Sequence, residues 1–114
     1  MAKEKDPLLY LPLSESTFYI LLALYEPMHG YGVMQKTEEI SAGAVKIGPG
    51  TLYGAFSTLL KEGLIWKVRE EDRRKVYELT DKGRAVCRAQ LERYELMLRY
   101  GQEVIDNNSL GGEE

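Results

Sequence analysis

The stretch after residue 80 constrains this chain more than any other. From about Lys82 towards Ile105 the residues Cys87, Leu91, Tyr94, Leu98 and Ile105 recur at helical spacing, and Val86, Met97, Tyr100 and Val104 widen the apolar stripe they form. Thr80 and Asp81 can cap the start of such a helix. An apolar stripe of that length is more than a core of three short helices can cover, so part of it is expected to meet a second copy of the chain. The alternative is a helix folded back on its own domain. Residues 81–106 are therefore read as a dimerisation helix, with Cys87, Leu91, Tyr94, Met97, Leu98 and Ile105 as its contact residues, and residues 107–114 as a disordered tail.

Upstream of that helix the 114 residues leave room for one further unit, and 44% hydrophobic against 29% charged residues suits a folded domain. Residues 1–12 read as a charged tail whose apolar part, Leu8 to Leu11, docks on a neighbour. Ser14 and Ser16 are N-cap candidates for a buried first helix that Pro27 ends. A short second helix follows, with Val33, Thr37 and Ile40 on one face. After a turn-rich connector, Pro49 opens a third helix and Gly63 closes it. Leu52, Phe56 and Leu59 form its inner face, whereas Gly50, Gly54, Ser57, Thr58 and Lys61 form an outer face of small and polar side chains. Residues 64–68 and 76–79 read as strands, with the polar run 69–75 between them. The order helix, helix, helix, strand, wing, strand, helix predicts a mainly α fold with a small β-hairpin: a winged helix-turn-helix over residues 13–80, followed by the long C-terminal helix.

The net charge of −3 hides an uneven distribution, because residues 44–77 carry seven basic and four acidic side chains while the remainder is −6. Arg73, Arg74 and Lys75 sit where a wing tip would neutralise phosphates, and Lys46 lies in the same basic segment. The N–H groups from Gly50 to Tyr53 and the positive end of the helix dipole favour a phosphate oxygen, to which Thr51 and Tyr53 could add hydroxyls. Ser57, Thr58 and Lys61 lie farther along and are the candidates for base edges, Lys61 for guanine O6 and N7. Taken singly, an ordinary amphipathic helix and a solvated charged turn explain these two segments as well.

Four motifs occur in order: His29-Gly30-Tyr31-Gly32, Gly48-Pro49-Gly50-Thr51-Leu52-Tyr53, Glu62-Gly63-Leu64-Ile65, and Tyr77-Glu78-Leu79-Thr80-Asp81-Lys82-Gly83. Over roughly residues 13–88 the chain resembles the PadR family of transcriptional regulators, and its single C-terminal helix resembles the shorter subfamily. The resemblance implies a dimeric winged-helix repressor that binds a pseudo-palindromic operator on double-stranded DNA and is often released by a small molecule. It also implies that Thr51 and Tyr53 are DNA-contacting positions. The family often has proline after the motif's tyrosine, where this chain has Gly54.

Other chemistries find little support in the residues. His29 is the only histidine, so neither a histidine-centred triad nor a multi-histidine metal site can be assembled in one chain, and a structural role in the turn entering the second helix is expected. Cys87 is the only cysteine and reads as a small core residue more readily than as a redox switch. The pairs Glu38-Glu39 and Glu70-Glu71 read as solvated surface, and no phosphate loop of nucleotide-binding spacing is present. Neither metal nor cofactor nor enzymatic activity is expected. The chain has no apolar run long enough for a membrane span and no signal-like start, which predicts a cytoplasmic protein. Trp66, Tyr94 and Tyr100, with Met97, are candidates for an aromatic cavity between subunits that takes a small hydrophobic or aromatic effector, although core packing explains them equally well. The rival function is a winged-helix protein-interaction module that does not touch DNA.

Overall fold

The structure, a computed structural model, describes residues 6–112, and side chains as far as Asn108. After a short 3-10 helix at Pro7–Tyr10, the elements are α1 (Glu15–Ala23), β1 (Met28–His29), α2 (Gly30–Ile40), α3 (Pro49–Lys61), β2 (Ile65–Glu71), β3 (Arg74–Leu79) and α4 (Asp81–Gly112). This is the expected winged helix-turn-helix with a long C-terminal helix. No helix among the described residues is long and apolar enough to cross a membrane.

Local chemistry sets most of the boundaries. Ser14 caps α1, its Oγ accepting from the Thr17 N–H at 3.1 Å. Pro49 occupies the first turn of α3, where no intrahelical acceptor is lost. Gly63, at φ 75°, closes α3 in the left-handed conformation that a side chain would strain. The hairpin turns on Asp72 and Arg73 alone, both at positive φ (49° and 66°), the paired left-handed geometry that matches the twist of the flanking strands.

The strands reach farther than their apolar residues predict. The expected turn at 69–75 shrinks to two residues, because the backbone ladder continues with Glu70 opposite Lys75 and Glu71 opposite Arg74. One residue is bulged out between Lys67 and Arg69. Met28 and His29 form a third strand unforeseen in the sequence, pairing antiparallel with Tyr77 and Val76 to give the order β1-β3-β2. Two residues carry too little periodicity to signal a strand.

One core serves all the elements. Ile20, Leu21 and Leu24, Val33, Leu52 and Phe56, Leu64 and Ile65, and Val86 are at most 2% exposed. The predicted inner face of α3 is buried, with Leu52, Phe56 and Leu59 all inside. In α2 Val33 and Thr37 are buried but Ile40 is 39% exposed, because the helix ends there and turns away from the core. The N-terminal segment folds onto its own chain: Tyr10 and Leu11 pack against the core, and the Leu13 N–H donates to Oε1 of the buried Gln90 at 2.7 Å. Residues 1–5 of the expected tail lie outside the described residues. At the other end, residues 107–112, expected as tail, continue α4, and residues 113–114 lie outside the described residues.

The junction of α3, β2 and α4 is the tightest point of the fold. Thr80 Oγ1 donates to the Gly63 carbonyl at 2.7 Å and accepts from the Gly83 N–H at 3.0 Å, while the Thr80 N–H donates to the Leu64 carbonyl at 3.1 Å. A Cβ on Gly83 would overlap the Leu64 carbonyl oxygen and lie 2.9 Å from Leu79 Cδ2. The obstruction is backbone and cannot swing aside. Gly83→Ala should therefore lower stability by roughly 2–4 kcal/mol, as for other overpacked core sites. Chemical denaturation of the two proteins measures this, and an unchanged midpoint would contradict the packing described.

Candidate nucleic-acid interface

The inner face of α3 is anchored by Leu52, Phe56 and Leu59, which leaves Gly50, Thr51, Tyr53, Ser57, Thr58 and Lys61 exposed. Lys46, in the connector before α3, is exposed as well, as are Arg73, Arg74 and Lys75. Each of the ten residues singled out from the sequence for DNA contact therefore reaches solvent. They do not all converge. Tyr53, Arg73, Arg74 and Lys75 meet at one open cleft of about 510 Å³, together with His29, Gly30, Tyr31 and Tyr77. Lys61 lies eight residues, about 12 Å along the helix axis, from Tyr53. Thr58 lines a separate groove beside Tyr10 and Leu13, and its hydroxyl donates to the Gly54 carbonyl at 3.4 Å.

The electrostatics of the hairpin favour an anion at its tip. Lower on the same hairpin Lys67 Nζ lies 3.3 Å from Glu70 Oε1, and Arg69 Nε pairs with Glu71, so two of its carboxylates are taken up there. Among the described residues Arg73, Arg74 and Lys75 enter no ion pair. Three cations against the single carboxylate of Asp72 in the turn leave the tip of this projecting two-stranded ribbon net positive, where a polyanion could approach. Among the described residues no carboxylate lines the cleft.

The sequence reading missed the contribution of the second helix. Gly30 and Tyr31 bring the N-terminus of α2 to the cleft, with its outward N–H groups and positive dipole end. His29 caps that helix, Nδ1 accepting from the Gly32 N–H at 3.2 Å, in agreement with the structural role expected for it. It also reaches the wing, its Nε2 lying 3.0 Å from Arg74 Nη1, and its ring stacks on Tyr31 with centroids 6.5 Å apart. Only the pairing of β1 with β3 could have revealed this, since His29 and Arg74 are 45 residues apart in sequence.

One expectation needs correction. Cys87, placed on the dimer stripe, is 3% exposed inside the protomer's own core beside Tyr25. The periodicity of α4 is continuous, so the sequence could not show where the helix leaves the protomer. Trp66, Tyr94 and Tyr100 line no common cavity: Trp66 lies in a groove with Glu78 and Arg84, Tyr94 packs edge-on against Phe18 at 5.3 Å, and Tyr100 is exposed. Within one protomer they form no effector pocket.

Beyond Tyr94, α4 projects from the domain. Leu96, Met97, Leu98, Tyr100 and Ile105 are 61–67% exposed, and Leu91 is 51% exposed. With 32 residues the helix is about 48 Å long, and the radius of gyration of 17.1 Å exceeds the ~13 Å of a compact chain of similar length. Among the described residues no group of three or more His, Cys, Asp or Glu could hold a metal ion.

Comparison with known proteins gives the same architecture. Residues 19–89 match the transcriptional regulator PadR-like family. A transcriptional regulator from Clostridium thermocellum superposes with a TM-score of 0.64 at 25% identity, over 77% of this chain and 86% of that one. A PadR family regulator from Eggerthella lenta gives 0.67 at 23% identity over 86% and 88%. RosR of H. salinarum, in its S4 complex, gives 0.68 at 24% identity over 96% and 100%. An uncharacterised protein in a Streptomyces fradiae transposon is 33% identical over 72 residues, which are 62% of this chain but only 20% of that protein.

Two measurements follow from this geometry. A Cβ on Gly30 would come within 2.5 Å of the Tyr53 hydroxyl and 2.9 Å of its Cζ, so Gly30→Ala should displace the Tyr53 side chain while leaving the melting temperature within a few degrees. A crystal structure of the variant with Tyr53 unmoved would contradict that close approach. Burial pushes the Cys87 thiol up to about 11, against the opposing pull of the Tyr25 hydroxyl and Arg84, and burial also raises Tyr25. The folded protein should leave Cys87 unmodified by a thiol reagent at pH 8. An unfolded chain loses the thiol proton from the ordinary value of 9.0, so stability should fall as pH rises from about 9 through about 11. Denaturation midpoints that stay level across that window, in the wild type as in Cys87→Ala, would refute this.

Proposed function

The chain belongs to the PadR-like family of transcriptional regulators, and from that premise we propose that it is a repressor that binds a pseudo-palindromic operator as a homodimer. The observation that supports this best is the single cleft onto which the start of α3 and the unpaired cations of the wing both open. A helix with a small, polar outer face can enter the major groove while Arg73, Arg74 and Lys75 meet the adjacent backbone. In this reading Thr51, Tyr53 and the α3 N-terminus position the helix, Lys46 adds a phosphate contact, and Ser57, Thr58 and Lys61 read base edges.

The projecting half of α4 supplies the dimer seam. Leu91, Tyr94, Leu98, Gly101 and Ile105 follow the alternating three- and four-residue spacing of a coiled-coil stripe, with Met97 and Val104 beside it. Pairing two such stripes would cover the exposed side chains and set two α3 helices about 34–36 Å apart, one turn of DNA. Bound in this way the dimer would block transcription. A small hydrophobic or aromatic effector would release it by stabilising a dimer geometry that does not match the duplex. The aromatic residues that one protomer keeps apart, Tyr94 and Tyr100, lie on or beside that seam, where a second copy could complete a pocket.

Selection of bound sequences from a random DNA pool, followed by anisotropy titrations at several salt concentrations, tests this. A recovered palindrome is expected. Arg74→Ala should weaken binding to every sequence and reduce the salt slope by about one, whereas Lys61→Ala should change the preferred bases. Leu98→Glu combined with Ile105→Glu should convert a dimer of 13.0 kDa chains to monomers and reduce operator affinity at least tenfold, because half the contacts are then lost to each binding event. No DNA shift at low salt together with a co-purifying protein would favour an interaction module instead.

A further inference from the structure

Two hydrogen-bond donors meet at His29 with no acceptor between them. The Gly32 N–H donates to Nδ1 at 3.2 Å, so that nitrogen carries no proton, and the neutral ring holds its single proton on Nε2. Nε2 in turn lies 3.0 Å from Arg74 Nη1, a guanidinium nitrogen that can only donate. Moving the ring proton to Nδ1 would satisfy Arg74 but would set two donors against each other at Gly32 and uncap α2. The capping bond is half-buried and the Arg74 contact is exposed, so the backbone amide has the stronger claim on the imidazole. Water alone can satisfy the outer pair, but an oxygen anion seated against both donors satisfies it better.

We propose that this pair of donors is a binding site for one phosphate of the DNA backbone, with His29 Nε2–H and Arg74 Nη1–H as its donors and α2 as a third DNA-contacting element beside α3 and the wing. The surroundings agree with a phosphodiester. The cleft of about 510 Å³ holds Arg73, Lys75 and three tyrosines but, among the described residues, no carboxylate. Gly30 and Tyr31 add the N-terminal, positive end of an eleven-residue helix. Tyr31 stacks parallel to the imidazole, with 16° between the rings, and limits how far it can turn. The cleft is open and lies between the wing and the start of α3, so a long backbone can run through it where an enclosed pocket would admit only a small phosphate. The proposal rests on the DNA-binding reading and adds to it a defined contact that carries no base information.

A double-mutant cycle on the full chain and its selected operator tests the site. His29→Asn keeps a strong N-cap acceptor for Gly32 but cannot span the cleft to Arg74, so its melting temperature should stay within a few degrees of the wild type. Its affinity should fall about tenfold on every sequence, the loss of one hydrogen bond to a charged group, with the salt slope unchanged because a neutral imidazole displaces no counterion. Arg74→Ala should lower the slope. The double variant should lose clearly less than the product of the two single losses, since both residues act on one phosphate. Multiplicative losses, or His29→Asn binding like the wild type, would overturn the site while leaving the repressor reading intact. A wild type that binds no DNA at low salt would overturn both.

Nitrogen-15 spectra of the His29 ring give a second, independent readout. Nε2–H is expected in the free protein and should shift when the operator is added; an Nδ1–H ring would refute the proposal. Inorganic phosphate should move that signal only at millimolar concentrations, and saturation in the micromolar range would replace the backbone by a small phosphate ligand.

Discussion

The rest of the structure depends on the contact between the first turn of α4 and the end of α3. Thr80 bonds at once to the Gly63 carbonyl, the Leu64 carbonyl and the Gly83 amide, and Gly83 lies so close to Leu64 that only a hydrogen fits between them. These atoms belong to the end of α3, the start of β2, the end of β3 and the start of α4. The proposed reading helix, the wing and the dimer arm therefore leave one rigid joint, and none can reorient there alone without breaking backbone bonds. A buried, hydrogen-bonded joint of this kind is what allows a local sequence signal to define a long-range geometry.

Charge placement then decides what the surface can meet. A net charge of −3 would disfavour a polyanion if spread evenly, but residues 44–77 carry a net +3, and of the wing's three carboxylates, Glu70, Glu71 and Asp72, two are engaged lower on the hairpin. Glu70 and Glu71 are consumed by Lys67 and Arg69 on the strand below the tip, and these exposed pairs contribute little stability. Their larger effect is to keep those two carboxylates off the tip, where Asp72 alone stands against Arg73, Arg74 and Lys75. The two-residue turn, with both φ angles positive, holds Arg73 and Arg74 at the extreme end of the ribbon.

Much of this was legible in the sequence wherever a residue has one strong physical reason to be where it is. Pro49 and Gly63 bracket α3 because one lacks an N–H and the other lacks a Cβ, and Leu52, Phe56 and Leu59 point inward by spacing alone. What stayed hidden depends on partners distant in sequence. Met28 and His29 become a strand only because Tyr77 and Val76 lie beside them, and that pairing brings His29 to Arg74. Polar residues 69–71 and 74–75 extend the hairpin through the backbone ladder across the strands, a pairing that strand propensity does not register. Cys87 shares its helical stripe with Leu91, yet one is buried and the other half-exposed, because the cover over α4 thins along the stripe before the helix leaves the domain beyond Tyr94.

The same joint limits where any control of the protein could act. Leu13 is tied to Gln90 on α4, and Tyr10 donates to Glu62 at the end of α3, where Lys82 of α4 also donates to the Glu62 carbonyl, so the N-terminal segment braces the arm against the reading helix. With α4 held at two points, a turn of the arm must carry α3 with it as one body. A conformational switch needs an element with two arrangements of comparable energy, and a joint of backbone hydrogen bonds and close packing does not offer one. The freedom lies farther out, in how the exposed stripe beyond Tyr94 packs against whatever covers it. On the dimer reading, small changes of crossing angle at that seam, carried along an arm about 48 Å long, become ångström-scale changes in the spacing of the two reading helices.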